Sequence, residues 1–371
     1  MICLDATVKK LVCRNFRSYR TLSLNFTSGF VVFYGENGAG KTNILEALSL
    51  FSSNRGLRKA PIADLGTIGT PPLSWNLELT LEHSDYRTLL ATNAQNGRRA
   101  AKIDDAPMPS LTKFEEMLWL IWVVPSMDNI FISSQSDMRS FFDHLVSGYD
   151  FLHKMNLKDL NNLQKERLHV IFYRKDEAWL KILEEKIAEK NMLITKARLE
   201  FIELLHETFN QYPSDFLRPT VGISGTIEDI YQTQSEENAI LEIADRLKAC
   251  RYEDSERQTT TISTQKSNWL VKHRQTQLNA ENCSTGEQKA FLISLILAVV
   301  RIYKTRRNGT PVLLLDDLMM HLDKNRRKSL INELKDLNVQ SFFTGTDLSL
   351  FSEVSDIAQI YHVKNSICSM E

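Results

Sequence analysis

The first third of the chain alternates apolar and polar residues with the period of two that half-buried β-strands show. The pattern predicts three strands of one sheet and then a second β cluster with a hairpin turn at Asn96 and Gly97. Residues 119–124 are apolar throughout and predict a buried strand that ends at Pro125. The other predicted strands are 8–16, 22–26 and 30–34 in the first sheet, and 75–82, 86–92 and 98–103 in the second cluster.

From about residue 136 to residue 206 the apolar positions change to the three- and four-residue spacing of amphipathic helices. As one unbroken helix, residues 157–209 would measure about 75 Å, which favours two or more packed helices. The pattern leaves open whether this helical lobe docks a partner or only supports the fold. After a polar, mixed region, α/β patterning returns with helices at 285–304 and 322–337 and strands at 311–315 and 339–344.

Composition limits the compartment and the partners of the protein. A chain of 371 residues can form two compact lobes, and 43% apolar with 25% charged residues is typical of a soluble protein. The net charge of −1 means that any contact with nucleic acid depends on local basic patches. The cysteines are scattered and the N-terminus lacks a signal-peptide pattern, which predicts a cytoplasmic protein with reduced thiols. The longest apolar run, residues 290–300, is too short for a membrane span.

One segment carries a specific chemical signal. Residues 35–42 fit G-x-x-x-x-G-K-[ST], the phosphate-binding loop, between a short apolar strand and a helix. Glycines let successive backbone N–H groups form an anion-binding nest at the helix N-terminus. Lys41 is expected to reach the β- and γ-phosphates, and the Thr42 hydroxyl to ligate Mg²⁺. The residues predicted to contact the nucleotide here are Gly35, Glu36, Asn37, Gly38, Ala39, Gly40, Lys41, Thr42 and Asn43.

An acidic motif lies near the other end of the chain. Residues 312–315 form an apolar strand that is followed by Asp316 and Asp317, the Walker B arrangement. Asp316 is predicted to hold Mg²⁺, and Asp317 to polarise the attacking water, so Asp317 and Lys41 are the candidate catalytic residues. Alone, such a strand is a weak signal. Together with a phosphate loop it predicts that the protein binds ATP and Mg²⁺.

A third motif begins a long helix shortly before this acidic pair. Its sequence, S-T-G-E-Q-K at 284–289, makes Ser284 a natural N-cap and Glu287 its capping-box partner. The segment resembles the signature motif of ABC-type ATPases. That resemblance implies that Ser284, Gly286 and Gln288 bind the nucleotide held by a second subunit, so that ATP joins two copies of the chain.

Other motifs of the ABC class are present only in part. Residues 322–323 resemble its D-loop, whereas Thr344 or Thr346 stands where the class has a switch histidine. No glutamine follows the 119–124 strand at the Q-loop place, and Asp317 replaces the glutamate that commonly serves as base. All three departures predict slow hydrolysis.

Further motifs, in order, resemble the RecF family. Transporter ATPases place the signature much closer to the loop, and SMC and Rad50 proteins insert several hundred residues of heptads. The resemblance covers about residues 9–362, is weakest between 150 and 275, and implies an α/β fold, an ABC-type ATPase head with mixed β-sheets and a helical insertion lobe. It is carried by 11–19 (L-x-x-x-N-F-R-x-Y), 40–47, 55–58 (R-G-L-R), 122–143 and 284–290.

The family resemblance implies an ATP-dependent DNA-binding protein of recombinational repair, replication and the SOS response, with weak DNA-dependent ATPase activity. Such a protein binds single-stranded gaps and duplex junctions and helps RecO and RecR load RecA. The ATPase domain is predicted at 1–130 and 256–371, and the helical lobe at 131–255. Candidate contacts to DNA phosphates are Arg98-Arg99-Lys102 and Arg306-Arg307. The alternative function is the ATPase subunit of a nuclease of OLD or SbcC type.

Overall fold

The structure, a computed structural model, describes residues 6–52, 55–69, 74–95, 98–174, 176–307 and 309–371. The turn predicted at Asn96 and Gly97 lies outside these residues. The strands are β1 Thr7–Phe16, β2 Tyr19–Asn25, β3 Phe30–Tyr34, β4 Asn76–Glu82, β5 Arg87–Gln95, β6 Arg98–Ile103, β7 Ala106–Met108, β8 Leu120–Val123, β9 Pro219–Ser224, β10 Asn268–His273, β11 Val312–Leu315, β12 Ser341–Gly345, β13 Ala358–Lys364 and β14 Ile367–Met370. The helices are α1 Lys41–Ser49, α2 Thr112–Glu115, α3 Gln135–Tyr149, α4 His153–His169, α5 Glu177–Gln211, α6 Thr226–Thr233, α7 Glu236–Ala249, α8 Arg251–Arg257, α9 Thr285–Arg307 and α10 Lys324–Leu337.

The chain divides into two compact units. The first comprises residues 1–128 and 303–371, and the second comprises 129–302. The second unit therefore extends beyond the helical lobe expected at 131–255. The extension has a physical cause: β10 pairs with β9, and Arg198 on α5 donates a hydrogen bond of 2.8 Å to the Thr264 carbonyl.

An antiparallel sheet in the order β2-β1-β4-β5-β6-β7 forms one part of the first unit. The alternation read from the sequence is visible in β4, where Leu77, Leu79 and Leu81 are fully buried and the residues between them are half-buried. The predicted strands 75–82, 86–92 and 98–103 thus continue the sheet of β1 and β2. Their predicted ends differ from the observed ends by three residues at most.

The other sheet of the first unit has the order β14-β13-β3-β12-β11-β8. Its strands β8, β11, β12, β3 and β13 run parallel, and β14 is antiparallel to β13. The prediction that β3 shares a sheet with β1 and β2 is wrong. Phe30–Phe33 are all buried, as expected of a central parallel strand that is covered on both faces rather than one.

The basic cluster noted at Arg98, Arg99 and Lys102 combines two exposed side chains with a half-buried one. Arg99 is the half-buried residue, and its guanidinium donates to the carbonyls of Leu50 and Ser52 just beyond the end of α1. A cation at a helix C-terminus is stabilising, while burial lowers the pKa of Arg99 to about 10. Arg98 and Lys102 are exposed, and the phosphate contact of this cluster stays a prediction.

The second unit is mainly helical. The stretch 157–209 contains more than one helix, as predicted, since α4 ends at His169 and α5 runs unbroken from Glu177 to Gln211. The polar region 214–273 contains β9, β10 and α6 to α8, which the sequence pattern did not predict. In the parts of the chain that the structure describes, no helix is long and apolar enough to cross a membrane.

A buried ion-pair network connects the helices of the second unit. The Arg167 side chain on α4 is fully buried and donates to Glu184 on α5 at 3.0 Å and to Asp254 on α8 at 2.6 Å. A third hydrogen bond, of 2.5 Å, goes to the Leu247 carbonyl on α7. Arg251 supplies a second cation to Glu184 at 2.7 Å. Four helices thus depend on one guanidinium group.

We predict that Arg167→Ala lowers the free energy of unfolding by about 3–5 kcal/mol, because Asp254 would remain buried without its counter-charge. Urea denaturation followed by circular dichroism measures the change. The control is Lys181→Ala, because the pair of Lys181 with Glu185 is exposed and should contribute less than about 1 kcal/mol. Equal losses in the two variants would show that the buried network is not what stabilises the helices.

Candidate phosphate and metal site

The phosphate-binding loop joins β3 to α1, as predicted. Its three glycines have φ angles of 151° at Gly35, 79° at Gly38 and 114° at Gly40, which residues with a Cβ rarely adopt. Gly35 also lies against the neighbouring strand, because a Cβ there would be 2.1 Å from the Val363 carbonyl oxygen. The glycine positions of the motif are therefore required by the shape of the loop.

The lysine of the loop is held inside it. Lys41 is buried, and its ammonium group donates to the carbonyls of Gly35 at 2.8 Å and Glu36 at 2.9 Å. Burial lowers the pKa of Lys41, while the nearby carboxylates of Asp317 and Asp316 act in the opposite direction. Two backbone carbonyls thus hold the Lys41 side chain inside the loop.

The threonine of the loop and the first aspartate are in direct contact. The Thr42 hydroxyl donates to Asp316 Oδ1 at 3.0 Å, although 274 residues separate the two in the chain. The Thr344 hydroxyl donates to the same oxygen at 2.7 Å. Burial raises the pKa of Asp316, and these two hydrogen bonds oppose the rise. The two residues predicted to hold Mg²⁺ are therefore brought together.

The second aspartate has an unusual backbone and an unsatisfied oxygen. Asp317 has a φ of 50°, and its backbone N–H donates to the Thr344 hydroxyl at 2.9 Å. Its Oδ1 is buried and has no hydrogen-bond partner within the described ranges. The Thr42 hydroxyl and the Asp316 carboxylate are oxygen donors that fit Mg²⁺, which binds through one or two carboxylates plus waters and phosphates.

Two of the other motifs noted in the sequence lie beside the loop. The Tyr19 hydroxyl donates to the Gly40 carbonyl at 3.2 Å, and the Asn43 amide donates to the Ser18 hydroxyl at 2.9 Å. Arg58, from the R-G-L-R segment, donates to the Asn43 side-chain carbonyl at 2.8 Å. The opening strand and the R-G-L-R segment thus form a shell around the loop and the start of α1.

Sequence reasoning missed the buried charge at the centre of this shell. Glu46 on α1 is fully buried and forms a bidentate pair with Arg17, at 2.8 and 2.6 Å. Arg58 donates to the same carboxylate at 3.2 Å. The available signal was a glutamate on the apolar face of the helix that follows the loop. Such a residue requires a cationic partner when it is buried.

The signature segment lies in the second unit and has the predicted capping box. Glu287 Oε2 accepts hydrogen bonds from the Ser284 backbone N–H at 2.8 Å and from its hydroxyl at 2.7 Å, while the Ser284 hydroxyl accepts from the Glu287 N–H at 3.3 Å. Ser284 and Gly286 are exposed. Gln288 is buried instead, and its amide donates to the Cys283 carbonyl at 3.0 Å. Its side chain supports the turn that precedes the signature.

The remaining positions of the ABC class have local structural roles. Residues 126–128, at the place of the missing Q-loop glutamine, lie in the 3₁₀ segment Pro125–Ile132. Asp323, in the segment that resembles a D-loop, caps α10 by accepting a hydrogen bond of 2.9 Å from the Arg326 N–H. Within the described ranges, no group of three or more His, Cys, Asp or Glu residues could hold a metal by itself.

Comparison with known proteins identifies the family. The model of the RecF/RecN/SMC N terminal domain matches residues 7–369. The DNA replication and repair protein RecF of Mesorhizobium japonicum is 34% identical over 363 residues, which cover 96% of each chain. RecF of Rickettsia bellii is 33% identical over 355 residues, which cover 94% of this chain and 97% of that protein. This chain belongs to the RecF family.

Solved structures agree with the fold. The recombination mediator protein RecF-ATPrS in the RecFOR pathway superposes with a TM-score of 0.85 at 23% identity and covers 100% of both chains. An Smc head domain from Pyrococcus furiosus gives a TM-score of 0.55 at 15% identity and covers 99% of this chain and 96% of that one. The predicted ABC-type ATPase head and the prediction of a RecF-type repair protein are confirmed, and the nuclease alternative is not favoured.

We predict that Gly35→Ala destabilises this RecF-family protein by about 1–3 kcal/mol, because the new methyl group would overlap the backbone of β13. Thermal unfolding with and without ATP measures the loss of stability and of nucleotide binding. Gly29→Ala is the matched control. Gly29 precedes β3, the strand that Gly35 follows, and a Cβ at Gly29 meets nothing within 4 Å. If both variants unfold and bind alike, the close approach of the loop to Val363 is not a constraint.

Proposed function

We propose that this RecF-family protein is an ATP-gated DNA-binding protein of recombinational repair, in which two copies close around two molecules of ATP. The observation that carries the proposal is the meeting of Lys41, Thr42 and Asp316 at one edge of the parallel sheet, with 3.0 Å between the threonine and aspartate oxygens. A relative solved as RecF-ATP in the RecFOR pathway and relatives named DNA replication and repair protein RecF support it.

In this proposal the phosphates of ATP enter the loop of residues 35–42. The Lys41 ammonium leaves the carbonyls of Gly35 and Glu36 and donates instead to the β- and γ-phosphates. Thr42 and Asp316 hold Mg²⁺, which when bound neutralises charge on the phosphate oxygens. The loop needs little rearrangement, because its glycines and the shell around Glu46 already define its shape.

Hydrolysis is proposed to be slow and to time release. Asp317 would orient the attacking water through its buried, unpaired Oδ1. Aspartate is shorter than the glutamate common in this position, so it holds the water less closely to the γ-phosphate. Weak ATPase activity follows, and the protein acts mainly through its ATP-bound form.

The second copy would complete the site with Ser284 and Gly286. In the single chain the Ser284 hydroxyl gives its one proton to Glu287, and the His273 ring nitrogen Nε2 lies 4.0 Å from the other oxygen of that carboxylate. To donate to the γ-phosphate of the opposing copy, Ser284 must give up this hydrogen bond. Dimer formation therefore exchanges a bond within the signature helix for one to the nucleotide.

The DNA-binding steps of the proposal follow the family. The protein would bind single-stranded gaps beside duplex DNA in the cytoplasm and act with RecO and RecR in loading RecA. Arg98, Lys102 and Arg306 are exposed and can contribute phosphate contacts, whose strength falls as salt rises.

We predict different effects for the two aspartates. Asp317→Asn should keep the affinity for Mg·ATP and slow single-turnover hydrolysis at least tenfold, which corresponds to a rise of about 1.4 kcal/mol in the activation free energy. The complex with gapped DNA should then last longer. Asp316→Asn should weaken binding of Mg·ATP itself, because it removes a charge beside the metal. A wild-type hydrolysis rate in Asp317→Asn would place the base elsewhere and remove the main support for the timer.

We also predict that Ser284→Arg leaves ATP binding by the single chain intact and abolishes the ATP-dependent dimer. A bulky cation at the start of α9 would block the γ-phosphate held by the other copy. Sedimentation velocity with and without ATP measures the dimer, and a fluorescent ATP analogue measures binding. Loss of ATP binding by the single chain would contradict the assignment of Ser284 to the opposing site.

A further inference from the structure

A threonine behind the acidic pair has two specific contacts that its place in the ABC class does not explain. Thr344 lies near the end of β12, the strand between β3 and β11, and its side chain is fully buried. Residues 344–347 occupy the place of the switch histidine, for which the sequence left Thr344 and Thr346 as candidates. Their environments in the structure differ.

We propose that Thr344 is a positioning residue that orients both aspartates of the site, rather than a sensor that touches the γ-phosphate. The proposal rests on the function proposed for Asp316 and Asp317. Its basis is the single hydroxyl that joins the two residues: it donates to Asp316 Oδ1 at 2.7 Å and accepts from the Asp317 N–H at 2.9 Å.

Thr344 is expected to hold Asp316 when the site is loaded. Thr42 and Thr344 both donate to Asp316 Oδ1. Thr42 is the residue expected to turn toward the metal, so its hydrogen bond to Asp316 would be lost. Thr344 is buried and has no such alternative. It would then hold the carboxylate in place through Oδ1.

Thr344 is also expected to hold the backbone of Asp317. Asp317 adopts a φ of 50°, which is disfavoured for a residue with a side chain and persists only where its surroundings impose it. The hydrogen bond from its N–H to Thr344 is a contact that imposes it. Because the conformation directs the carboxylate, loss of the hydroxyl would release the residue that is proposed to orient water.

Thr344 is poorly placed to contact a phosphate directly. Unlike the exposed Ser284, it is fully buried, and its one hydroxyl proton is given to Asp316. Thr346 is half-buried, and its hydroxyl donates to Met320 Sδ, a weak acceptor, at 3.8 Å. Thr346 is therefore the matched control.

The test compares Thr344→Val, Thr344→Ser and Thr346→Val in the full chain. A fluorescent ATP analogue is titrated in excess EDTA and in Mg²⁺, and single-turnover hydrolysis is followed in parallel. We expect Thr344→Val to bind as wild type in EDTA, to lose about ten- to hundredfold of the affinity gained with Mg²⁺, and to hydrolyse ATP more slowly. Thr344→Ser should restore both properties, and Thr346→Val should behave as wild type.

Three outcomes would overturn the inference. In the first, Thr344→Val keeps its gain in affinity with Mg²⁺ and its hydrolysis rate, and only its thermal midpoint falls. That result would mean that Thr344 only stabilises the fold. Thr344→Ser could fail to restore the loss, or Thr346→Val could reproduce it. If Thr344→Val does not fold, Thr344→Ala removes the same hydroxyl with less bulk and must show the same loss. A wild-type protein without any Mg²⁺ effect would instead contradict the proposed function.

Discussion

The parallel alignment of three neighbouring strands is the constraint on which the site depends. Because β12 lies between β3 and β11 and runs parallel to both, the carboxyl ends of all three meet at one edge of the sheet. The phosphate loop follows β3, the aspartates follow β11, and Thr344 lies near the end of β12. Residues from opposite ends of the chain therefore lie within hydrogen-bond distance, and a shift of any of these strands would separate them.

Buried charge keeps the loop in shape before ligand arrives. Glu46 is held by Arg17 and Arg58, and Arg99 donates to the carbonyls at the end of the same helix. A buried carboxylate is costly unless cations satisfy it, so these arginines and α1 depend on one another. The result is a loop whose conformation is already formed, which reduces the ordering cost that nucleotide binding must overcome.

Hydroxyl groups take part in both steps of the proposed mechanism, the binding of nucleotide and the formation of the dimer. Thr42, Thr344 and Ser284 each give their single proton to a carboxylate. In the proposed cycle Thr42 and Ser284 exchange that partner for metal and phosphate, whereas Thr344 keeps it. In the proposed function such exchange is useful, since a protein that is proposed to stay on DNA in its ATP-bound form benefits from tight ATP binding and slow hydrolysis.

Some properties of this protein follow from the sequence alone. The phosphate loop, the acidic strand end and the capping box at Ser284 are local, because each depends on residues adjacent in the chain or one helical turn apart. Strand alternation also placed most strands of the first unit within a few residues. Only the tertiary structure decided which sheet β3 joins and which groups Arg99, Glu46 and Thr344 contact. Each depends on pairing between segments far apart in the chain, and such pairing leaves no period or local signature to read.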